Sequence, residues 1–433
     1  MAEDVFRKSL WSAVTPAGPD LPRLEGAVTA DVAVVGAGLL GLSTALHLAE
    51  AGARVALIEG SEPGYGASGR NTGFVVPSLK AHVGPEAVRA ALGPDGAERL
   101  YRLVDGSAET LFSVIDRLGI DCSAERTGWI QPAHSQAMVG ALTIRAEQAA
   151  ARGRPVRMLD ATETARVTGM TGYAGALLDP SGGQLNPLAL VRGLVRAVRA
   201  AGVQVFARSP VAHVARTGAG FEVRTAHGTV RAERVILTTN ALTGKLCPAL
   251  SASFVPVFAH QMVTERLDPG ATGLLPTRLC LADTRRHTFA LRWSPDNRLM
   301  TGGITPLGPF RLARTRARFA RRLAHFLPGK GPFRPAFAWW GVIAHTADSL
   351  PRLHEIQPGL IAAIGCNGRG VALTTAYGRM LAGFLNGTIP LADMPVPITE
   401  PRPMPHRLAG QLGPSLWLPW SSLRDWIDAR SVG

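Results

Sequence analysis

The chain has 433 residues and a formal net charge of +14, with 46% hydrophobic and 18% charged residues. This composition allows a sizeable core and two or three domains, and it excludes a largely disordered chain. No apolar run approaches the roughly 20 residues that span a bilayer, the N-terminus lacks an apolar signal core, and the four cysteines are scattered without a CxxC or metal-binding pattern. We therefore predict a cytoplasmic protein without a transmembrane segment, a disulfide framework or a metal site.

Arginine carries most of the positive charge, since only Lys8, Lys80, Lys245 and Lys330 among the 46 basic residues are lysine. A strongly basic balance is typical of proteins that bind nucleic acid, anionic membranes or acidic substrates. However, the chain has no block of consecutive like charges that would indicate an interaction tail. The charge alone therefore identifies no partner.

The first predicted elements form a βαβ unit. Residues 31–36, DVAVVG, predict a buried parallel strand, residues 39–51 a helix, and residues 54–59, RVALIE, a second strand. Such a unit opens a doubly wound sheet with helices packed on its faces. We therefore predict an α/β (α+β) fold with a Rossmann-type domain.

The rest of the chain alternates between helical and strand-like segments. We predict a helix over 186–202, strands and hairpins over 203–240, a strand-rich region over 250–305 and an amphipathic helix over 312–328. Near the end, GLIAAIGCNGRGVALTTAYGRMLAGFLNG predicts a strand, a glycine-rich turn and a helix. Because the βα pattern returns, we expect one domain built from separated segments, with another domain inserted between them.

The turn of the βαβ unit, GAGLLG, matches G-x-G-x-x-G at Gly36, Gly38 and Gly41. Gly36 permits the tight turn, Gly38 lets the backbone approach a pyrophosphate, and Gly41 lets the helix pack closely on the strand. The helix N-terminus offers free N–H groups and a positive dipole to phosphates. Glu59, at the end of the second strand, can accept hydrogen bonds from ribose hydroxyls. The glycine motif is weak evidence when it stands alone, but together these features predict a dinucleotide site.

A second loop of small residues, GYGASGRNTGF, follows the acidic residue. Residues 66–69 are too small to fill a core, and Ser68, Arg70 and Asn71 bring polar groups. An extended cofactor with a second binding surface requires such a loop, and an ordinary flexible turn is the alternative. The loop therefore favours FAD over NAD.

Four motifs follow one another along the chain: GASGRNTGF, DPSGGQLNPLALVRGL, WWGVIAHTADSLPRL and GCNGRGVALTTAYGRMLA. They resemble segments of the D-amino acid oxidase-type FAD oxidoreductases, which include glycine oxidase, sarcosine oxidase and D-amino acid dehydrogenases. The likeness is closest to the γ-glutamylputrescine oxidase-like branch and extends from about residue 10 to 390. Motifs in this order are jointly far more specific than the glycine fingerprint.

The resemblance implies how FAD is held. The helix after GCNGRGV would stabilise negative charge on reduced flavin, which gives a role to Gly368, Arg369 and Gly370. Some relatives attach flavin through a histidine in the first loop or a C-terminal cysteine, but ASGRNTGF has no histidine and GVIAHTADSLP has no cysteine. We therefore predict noncovalent FAD, interpret Cys366 as a packing residue, and count Val211 among the cofactor contacts.

The returning βα pattern and the resemblance together predict two interleaved domains and a C-terminal tail. The substrate domain should place an antiparallel sheet over the flavin. The predicted ranges are 26–84, 186–249 and 341–396 for the FAD-binding domain, 85–185 and 250–340 for the substrate domain, and 397–433 for the tail.

The resemblance also implies hydride transfer to flavin from a C–H next to nitrogen, followed by hydrolysis of the imine. The partners would be a small-molecule amine or amino acid and either molecular oxygen or another electron acceptor. The candidate catalytic residues are His260, Trp340 and His345, and a structural role in the core is the alternative for each. Arg292 can hold a carboxylate, although a surface arginine is the alternative. Because no carboxylate clamp stands out, we favour an amine with an apolar or extended substituent.

Two alternatives keep the fold and change the partner. No lysine obviously lines the predicted flavin-facing strands, so a D-amino acid dehydrogenase that passes electrons to an acceptor other than oxygen stays open. A tRNA-acting flavoprotein of the same fold would use the arginine-rich helix at 312–328 as its footprint, whereas a solvated helix face is the simpler interpretation. We predict no nucleic-acid partner.

Overall fold

The computed structural model describes residues 6, 8–305, 311–327, 333, 335–405, 407, 413, 420, 421, 424, 425 and 427. The helices are α1 Leu10–Val14, α2 Leu39–Glu50, α3 Pro85–Asp105, α4 Ser107–Arg117, α5 Gln136–Ala150, α6 Ala161–Thr168, α7 Pro187–Ala200, α8 Pro248–Ala252, α9 Pro269–Thr272, α10 Arg311–Phe326 and α11 Gly370–Leu385. Short 3₁₀ turns cover Ala67–Gly69, Asn240–Leu242 and Leu391–Asp393.

The strands of the described residues are mostly shorter than the long helices. They are β1 Gly26–Val35, β2 Val55–Ile58, β3 Phe74–Val75, β4 Trp129–Ala133, β5 Arg157–Leu159, β6 Gly175–Asp179, β7 Gly183–Gln184, β8 Gln204–Phe206, β9 His213–Thr217, β10 Gly220–Arg224, β11 Gly228–Leu237, β12 Val255–Arg266, β13 Cys280–Ala282, β14 Ala290–Trp293, β15 Arg298–Ile304, β16 Phe337–His345, β17 Arg352–Gln357, β18 Leu360–Ile364 and β19 Ile398–Thr399. No helix of the described residues is long and apolar enough to cross a bilayer.

The first sheet has parallel strands at its centre. Within the described residues it contains nine strands in the order β19-β17-β18-β11-β1-β2-β8, with β10 and β9 added beside β11. β1 pairs in parallel with both β2 and β11, so Val34 lies opposite Leu57 and Ile236, which are also buried. These pairings confirm the predicted α/β class and the predicted βαβ unit, which is formed by β1, α2 and β2.

The second sheet is mainly antiparallel. Counted over the described part of the chain, it has eight strands in the order β16-β12-β15-β14-β13-β4-β6-β5. β12 pairs antiparallel with β15 and β16, whereas β13 pairs parallel with β4. Trp293 of this sheet packs in one core with Phe319 and Leu323 of α10, which is the predicted amphipathic helix. The chain thus passes from the first sheet to the second and back twice, through β4–β6 and again through β12–β16.

Helices from distant parts of the chain cover one face of the first sheet. Leu42 of α2, Leu100 of α3, Leu111 of α4, Leu190 of α7 and Leu381 of α11 belong to a single apolar core. Each of these leucines is fully buried, and the extended core fixes the helices against the sheet. This packing fixes the positions of α2 and α11, whose N-termini define the site described below.

Two segments lie differently from the domain ranges predicted above. α3 and α4, predicted in the substrate domain, pack in the core of the first sheet. β16 joins the second sheet, although the FAD-binding range was predicted to begin at residue 341. An amphipathic pattern shows which face of an element is buried but not which sheet it covers. The division into domains stays a prediction, and these contacts favour boundaries near residues 118 and 346.

Candidate active site

A cavity of about 1180 Å³ lies between the two sheets. From the first sheet it is lined by the carboxyl ends of the parallel strands β1, β2, β11 and β18. Strands β12, β15 and β16 of the second sheet form another part of its wall. Ligands of open α/β sheets bind at the carboxyl ends of the strands, so this cavity is the candidate active site.

The predicted glycine motif forms one end of the cavity by bringing backbone close together. Gly36 has a φ of +108°, which favours glycine. A Cβ on Gly41 would lie 2.0 Å from the carbonyl oxygen of Gly36, so α2 packs on β1 only without a side chain there. Gly38 is the N-cap of α2, and both Gly36 and Gly38 line the cavity. The helix N-terminus is therefore open to an anionic ligand.

Glu59 lies at the end of β2 and lines the same part of the cavity. Its carboxylate accepts hydrogen bonds from the backbone N–H of Ala37 at 2.8 Å and of Ser61 at 2.9 Å. Burial raises the pKa of this carboxyl, while the two N–H donors oppose that rise. The predicted contact Val211 also lines the cavity. A carboxylate held in this way retains lone pairs for the hydroxyls of a ribose.

The second glycine-rich loop is tied to the first motif. Ser68 accepts a hydrogen bond from the backbone N–H of Leu39 at 3.0 Å, and Asn71 donates to the carbonyl oxygens of residues 67 and 68. The Arg70 guanidinium lies 4.4 Å from the centre of the Tyr65 ring and donates to the carbonyl oxygen of Trp340. Ser68, Arg70 and Asn71 all line the cavity. The loop thus joins the α2 N-terminus to β16 of the second sheet.

The turn after β18 brings a second helix N-terminus to the cavity. Gly365, Asn367 and Gly368 have positive φ angles of 80°, 50° and 80°. The amide of Asn367 is buried and binds the N–H of Thr346 at 2.9 Å, which fixes the turn against the chain after β16. Arg369 is the N-cap of α11. The predicted contacts Gly368, Arg369 and Gly370 all line the cavity.

These features fit FAD. Gly36, Gly38 and Gly41 leave room for a ligand because they have no side chain, and an added Cβ at these positions would contact neighbouring atoms. Glu59 lines the cavity at a position suited to a ribose. Both helix N-termini point into the same cavity, which is long enough to include both glycine-rich turns. The predicted FAD contacts therefore lie together. Cys366 also lines the cavity, and noncovalent attachment stays a prediction.

The three candidate catalytic residues are separated by strand alternation. His345 lines the cavity, but His260 and Trp340 are not among its lining residues. Side chains alternate along β12, so Gln261 faces the cavity while His260 faces the opposite side, 3.2 Å from Thr305 Oγ1. Burial and nearby arginines lower the pKa of His260 to about 4, so it is neutral at pH 7. Sequence periodicity alone did not show which member of the pair faces the ligand.

Trp340 lies on the side of β16 that faces away from the cavity. Its ring packs edge-on against Phe258, with ring centroids 5.6 Å apart. Arg292 is fully buried and donates to the carbonyl oxygens of Thr72 and Leu185. Both the carboxylate-clamp and the surface interpretations of Arg292 are therefore wrong, because this arginine braces the loop before β3.

The sequence reasoning missed a group of basic residues in the cavity. Lys80 lines it from the coil after β3, and its Nζ atom lies 3.5 Å from the position a Cβ would take on Gly368. Burial and the charge of Arg369 lower the pKa of Lys80 to about 8. Arg145 of α5 also lines the cavity and donates to Gln131 at 2.6 Å. We considered lysines in the sequence only on the predicted flavin-facing strands, which excludes Lys80. Its position nine residues after Asn71, in the same loop region, could have indicated a place near the cofactor.

His345 belongs to a short polar chain that reaches the surface. Its Nδ1 lies 3.0 Å from the carbonyl oxygen of Thr346, so Nδ1–H donates and Nε2 is left as an acceptor. Ser349 Oγ lies 3.4 Å from this Nε2 and 2.9 Å from Nε2 of His82, which is exposed. Burial, followed by the charge of Lys80, lowers the pKa of both histidines. This chain can carry a proton between the cavity and solvent.

Comparisons with known proteins agree with this geometry. The sequence signature of the family described as FAD dependent oxidoreductase matches residues 31–383. Gamma-glutamylputrescine oxidoreductase of Escherichia coli is 33% identical over 367 residues, which cover 84% of this chain and 85% of that protein. The crystal structure of glycine oxidase from Geobacillus kaustophilus covers 83% of this chain and 95% of its own, with a TM-score of 0.69 and 23% identity. L-Amino acid deaminase from Proteus myxofaciens covers 87% and 94%, with a TM-score of 0.71 and 17% identity.

Proposed function

The chain belongs to the FAD dependent oxidoreductase family, and we propose that it oxidises the free amine of an acylated diamine or of another extended amine whose far end carries no net positive charge. Members of this family are oxidoreductases that act on amines or amino acids, and the choice of amine depends on the cavity.

The charge of the cavity carries this proposal. Among the described residues that line it, only Glu59 and Asp283 are acidic. Glu59 stands at the predicted ribose position, and the Asp283 carboxylate is bound by Arg285 and by the backbone N–H of Phe289. The basic lining residues are Arg70, Lys80, Arg145, Arg285, Arg286 and Arg369. A substrate with a second ammonium group would therefore meet like charges and find no available carboxylate.

The relative from Escherichia coli supports an acylated diamine. Its name contains gamma-glutamylputrescine, in which one amine of the diamine is covered by an amide and the acyl group carries an ammonium beside a carboxylate. Acylation removes the charge of one diamine nitrogen and leaves the other amine free to react. The ammonium of the acyl group is balanced by its own carboxylate, so the acylated end brings no net positive charge into the basic cavity.

The chemistry divides between cofactor and protein. Bound FAD supplies the acceptor for the hydride that leaves the carbon next to nitrogen. The nitrogen loses a proton, and the imine then takes up water to release ammonia and an aldehyde. The basic cavity lowers the pKa of a bound ammonium group, so it favours the neutral amine from which a hydride can leave.

His345 can receive the proton that leaves the amine. Its Nε2 is the acceptor end of the chain through Ser349 to His82. Because the histidine is neutral at pH 7, it can take up a proton and pass it toward solvent. Gln261, whose Oε1 has no hydrogen-bond partner among the described residues, lines the cavity as a further polar group for the substrate.

Anaerobic mixing of the FAD-loaded enzyme with matched amines tests this proposal. N-acetylputrescine should bleach the flavin at least about tenfold faster than putrescine, since acetylation removes the second charge. A hydroxy acid should leave the flavin oxidised. Bleaching by a hydroxy acid together with no bleaching by any amine would exclude the proposed function.

A further inference from the structure

Three basic side chains meet at one end of the cavity, and we call them the cationic end: Lys80, Arg145 and Arg369. They come from the coil after β3, from α5 and from the start of α11. Their charges affect one another, because Arg369 lowers the pKa of Lys80 and Arg145 lowers the pKa of Arg369, which burial and this charge bring to about 10. The fold thus brings three positive groups from separate elements together.

Among the described residues, no carboxylate forms an ion pair with the cationic end. None of the ion pairs formed between described residues includes Lys80, Arg145 or Arg369. Asp179 exerts a weak attraction on Arg145, but its carboxylate is already bound by Arg154 and Ser181. Like charges held together without a counter-ion are unfavourable. The arrangement is therefore complete only when an anion is bound.

The Arg369 side chain reaches toward the second sheet. Its guanidinium lies 5.1 Å from the centre of the Trp129 ring on β4, so its charge is displaced from the turn that its backbone forms. Trp129 is buried, and its indole N–H has no acceptor among the described residues. An unpaired N–H donor beside three cations is a second feature that suits an anion.

A side pocket of about 80 Å³ adjoins the cavity at this point. It shares Lys80 and Arg145 with the main cavity and is also lined by Trp129. Asp105 and Asp179 line it as well, and their carboxylates are paired with Arg152 and Arg154. One water molecule takes up about 30 Å³ in the liquid, so the pocket has room for a small group such as a carboxylate. Arg145 lines this pocket and Arg369 lines only the main cavity, and each offers paired N–H donors that match the geometry of a carboxylate.

We propose that Lys80, Arg145 and Arg369 bind a carboxylate carried by the substrate, and this inference rests on the proposed function. The substrate is then an amine with an anionic group at a distance from the nitrogen that is oxidised. A succinyl amide of a diamine has this chemistry, and a γ-glutamyl amide has it with an ammonium group beside the carboxylate. The expectation from sequence that the cavity has no carboxylate clamp is replaced by this cluster.

The test compares N-succinylputrescine with N-acetylputrescine, which share the amide and the reactive amine and differ in the carboxylate. With the FAD-loaded enzyme under anaerobic conditions, the carboxylate should lower the apparent Kd for flavin reduction by about tenfold to a hundredfold. In Arg369→Gln and in Lys80→Met, the ratio of the apparent Kd values for N-acetylputrescine and N-succinylputrescine should be close to one. Arg316→Gln, on an exposed face of α10, should keep it. Equal apparent Kd values for the two amines in the unmodified enzyme would overturn the proposal.

Glutarate binding separates this inference from the proposed function. Calorimetry with the FAD-loaded enzyme should detect glutarate, and Arg369→Gln should weaken its binding by at least about tenfold. Glutarate binding that depends on Arg369, in an enzyme that oxidises no amine, would support the anion site and reject only the proposed function. Amine oxidation without glutarate binding would reject the anion site. Loss of FAD from both Arg369→Gln and Lys80→Met, with the fold intact by circular dichroism, would also reject it, because the cations would then hold the cofactor.

Discussion

The two ends of the cavity are built by different means. The cofactor end consists mostly of backbone: glycines that permit close approach, the N-termini of α2 and α11 and one carboxylate at a strand end. At the α11 N-terminus the two ends meet, because the Arg369 side chain there belongs to the cationic end. The cationic end consists of side chains contributed by a coil, a helix and a helix N-cap far apart in the chain. Residues of a site built from local backbone are close together in the sequence and form a motif. Residues of a site built from distant side chains form no such motif.

Gly41→Ala should have the largest effect, because the added Cβ would lie 2.0 Å from the carbonyl oxygen of Gly36. We expect a loss of about 3 kcal/mol or more in the free energy of unfolding, together with loss of FAD. The measurement is flavin absorbance of the purified protein, with denaturant unfolding alongside. Gly140→Ala is the matched control, since Gly140 is exposed in α5 with nothing near its Cβ position, and it should be neutral or slightly stabilising. Equal FAD content in both variants would contradict the assignment of the cofactor end.

Glu59→Ala should weaken FAD binding without unfolding the protein. Each hydrogen bond from a ribose hydroxyl to a carboxylate contributes about 1.5–3 kcal/mol, so the Kd for FAD should rise by about tenfold to a hundredfold. Titration of the apoprotein with FAD, followed by fluorescence, measures this change. Glu59→Gln keeps the shape of the side chain and loses its charge, so its Kd for FAD should lie between those of the unmodified protein and Glu59→Ala. An unchanged Kd in Glu59→Ala would remove the ribose role.

Glutarate binding should depend on pH through Lys80. Burial and Arg369 lower the pKa of Lys80 to about 8, so this lysine is charged below that pH and neutral above it. The other titratable groups near it are His82, His345, Cys366, Arg145 and Arg369, and Tyr101, Asp105 and Asp179 line the side pocket that Lys80 also lines. Glutarate affinity should therefore fall by about tenfold between about pH 7 and about pH 9.5.

Lys80→Arg sharpens the same experiment, because arginine stays charged throughout this range. Its glutarate affinity should be nearly constant with pH, as measured by calorimetry in matched buffers. A fall in affinity of equal size in Lys80→Arg and in the unmodified protein would assign the titration to another group.

His260→Gln should have the smallest effect. The side chain lies on the face of β12 turned away from the cavity, so kcat/KM should stay within about twofold of the unmodified enzyme. Gln261→Ala, one residue along the same strand, should reduce kcat/KM more, since it removes a polar group that lines the cavity. Steady-state kinetics of the two variants with the same amine compares the faces of one strand. A larger loss in His260→Gln would reverse their assigned roles.

Much of the cofactor end could be predicted from the sequence. The β1-α2-β2 unit, the acid at Glu59 and the turn before α11 each have a signal within a few tens of residues, since strand, helix and glycine patterns are local. The family and the use of FAD were predicted from motifs in order and are confirmed. The bounds of the elements agree closely where apolar periodicity is strong, as in α2 and α7.

The cationic end and the cavity wall on β12 could not be predicted from the sequence to the same extent. His260 and Gln261 are neighbours, and only the pairing of β12 with β15 and β16 decides which of them faces the cavity. Lys80 lies in a coil with no periodicity, and Arg145 lies on α5, which packs against strands of the second sheet. Their meeting depends on how the sheets pack, which no single segment encodes.

Anaerobic stopped-flow reduction of the FAD-loaded enzyme by N-succinylputrescine and by putrescine tests the account most directly. The two amines share the reactive end and differ in the charge at the other end, where the cavity is basic. The second-order rate constant for N-succinylputrescine should exceed that for putrescine by about a hundredfold. Equal rate constants, or a faster reduction by putrescine, would contradict the account, because a second ammonium group would then be accepted among the basic residues.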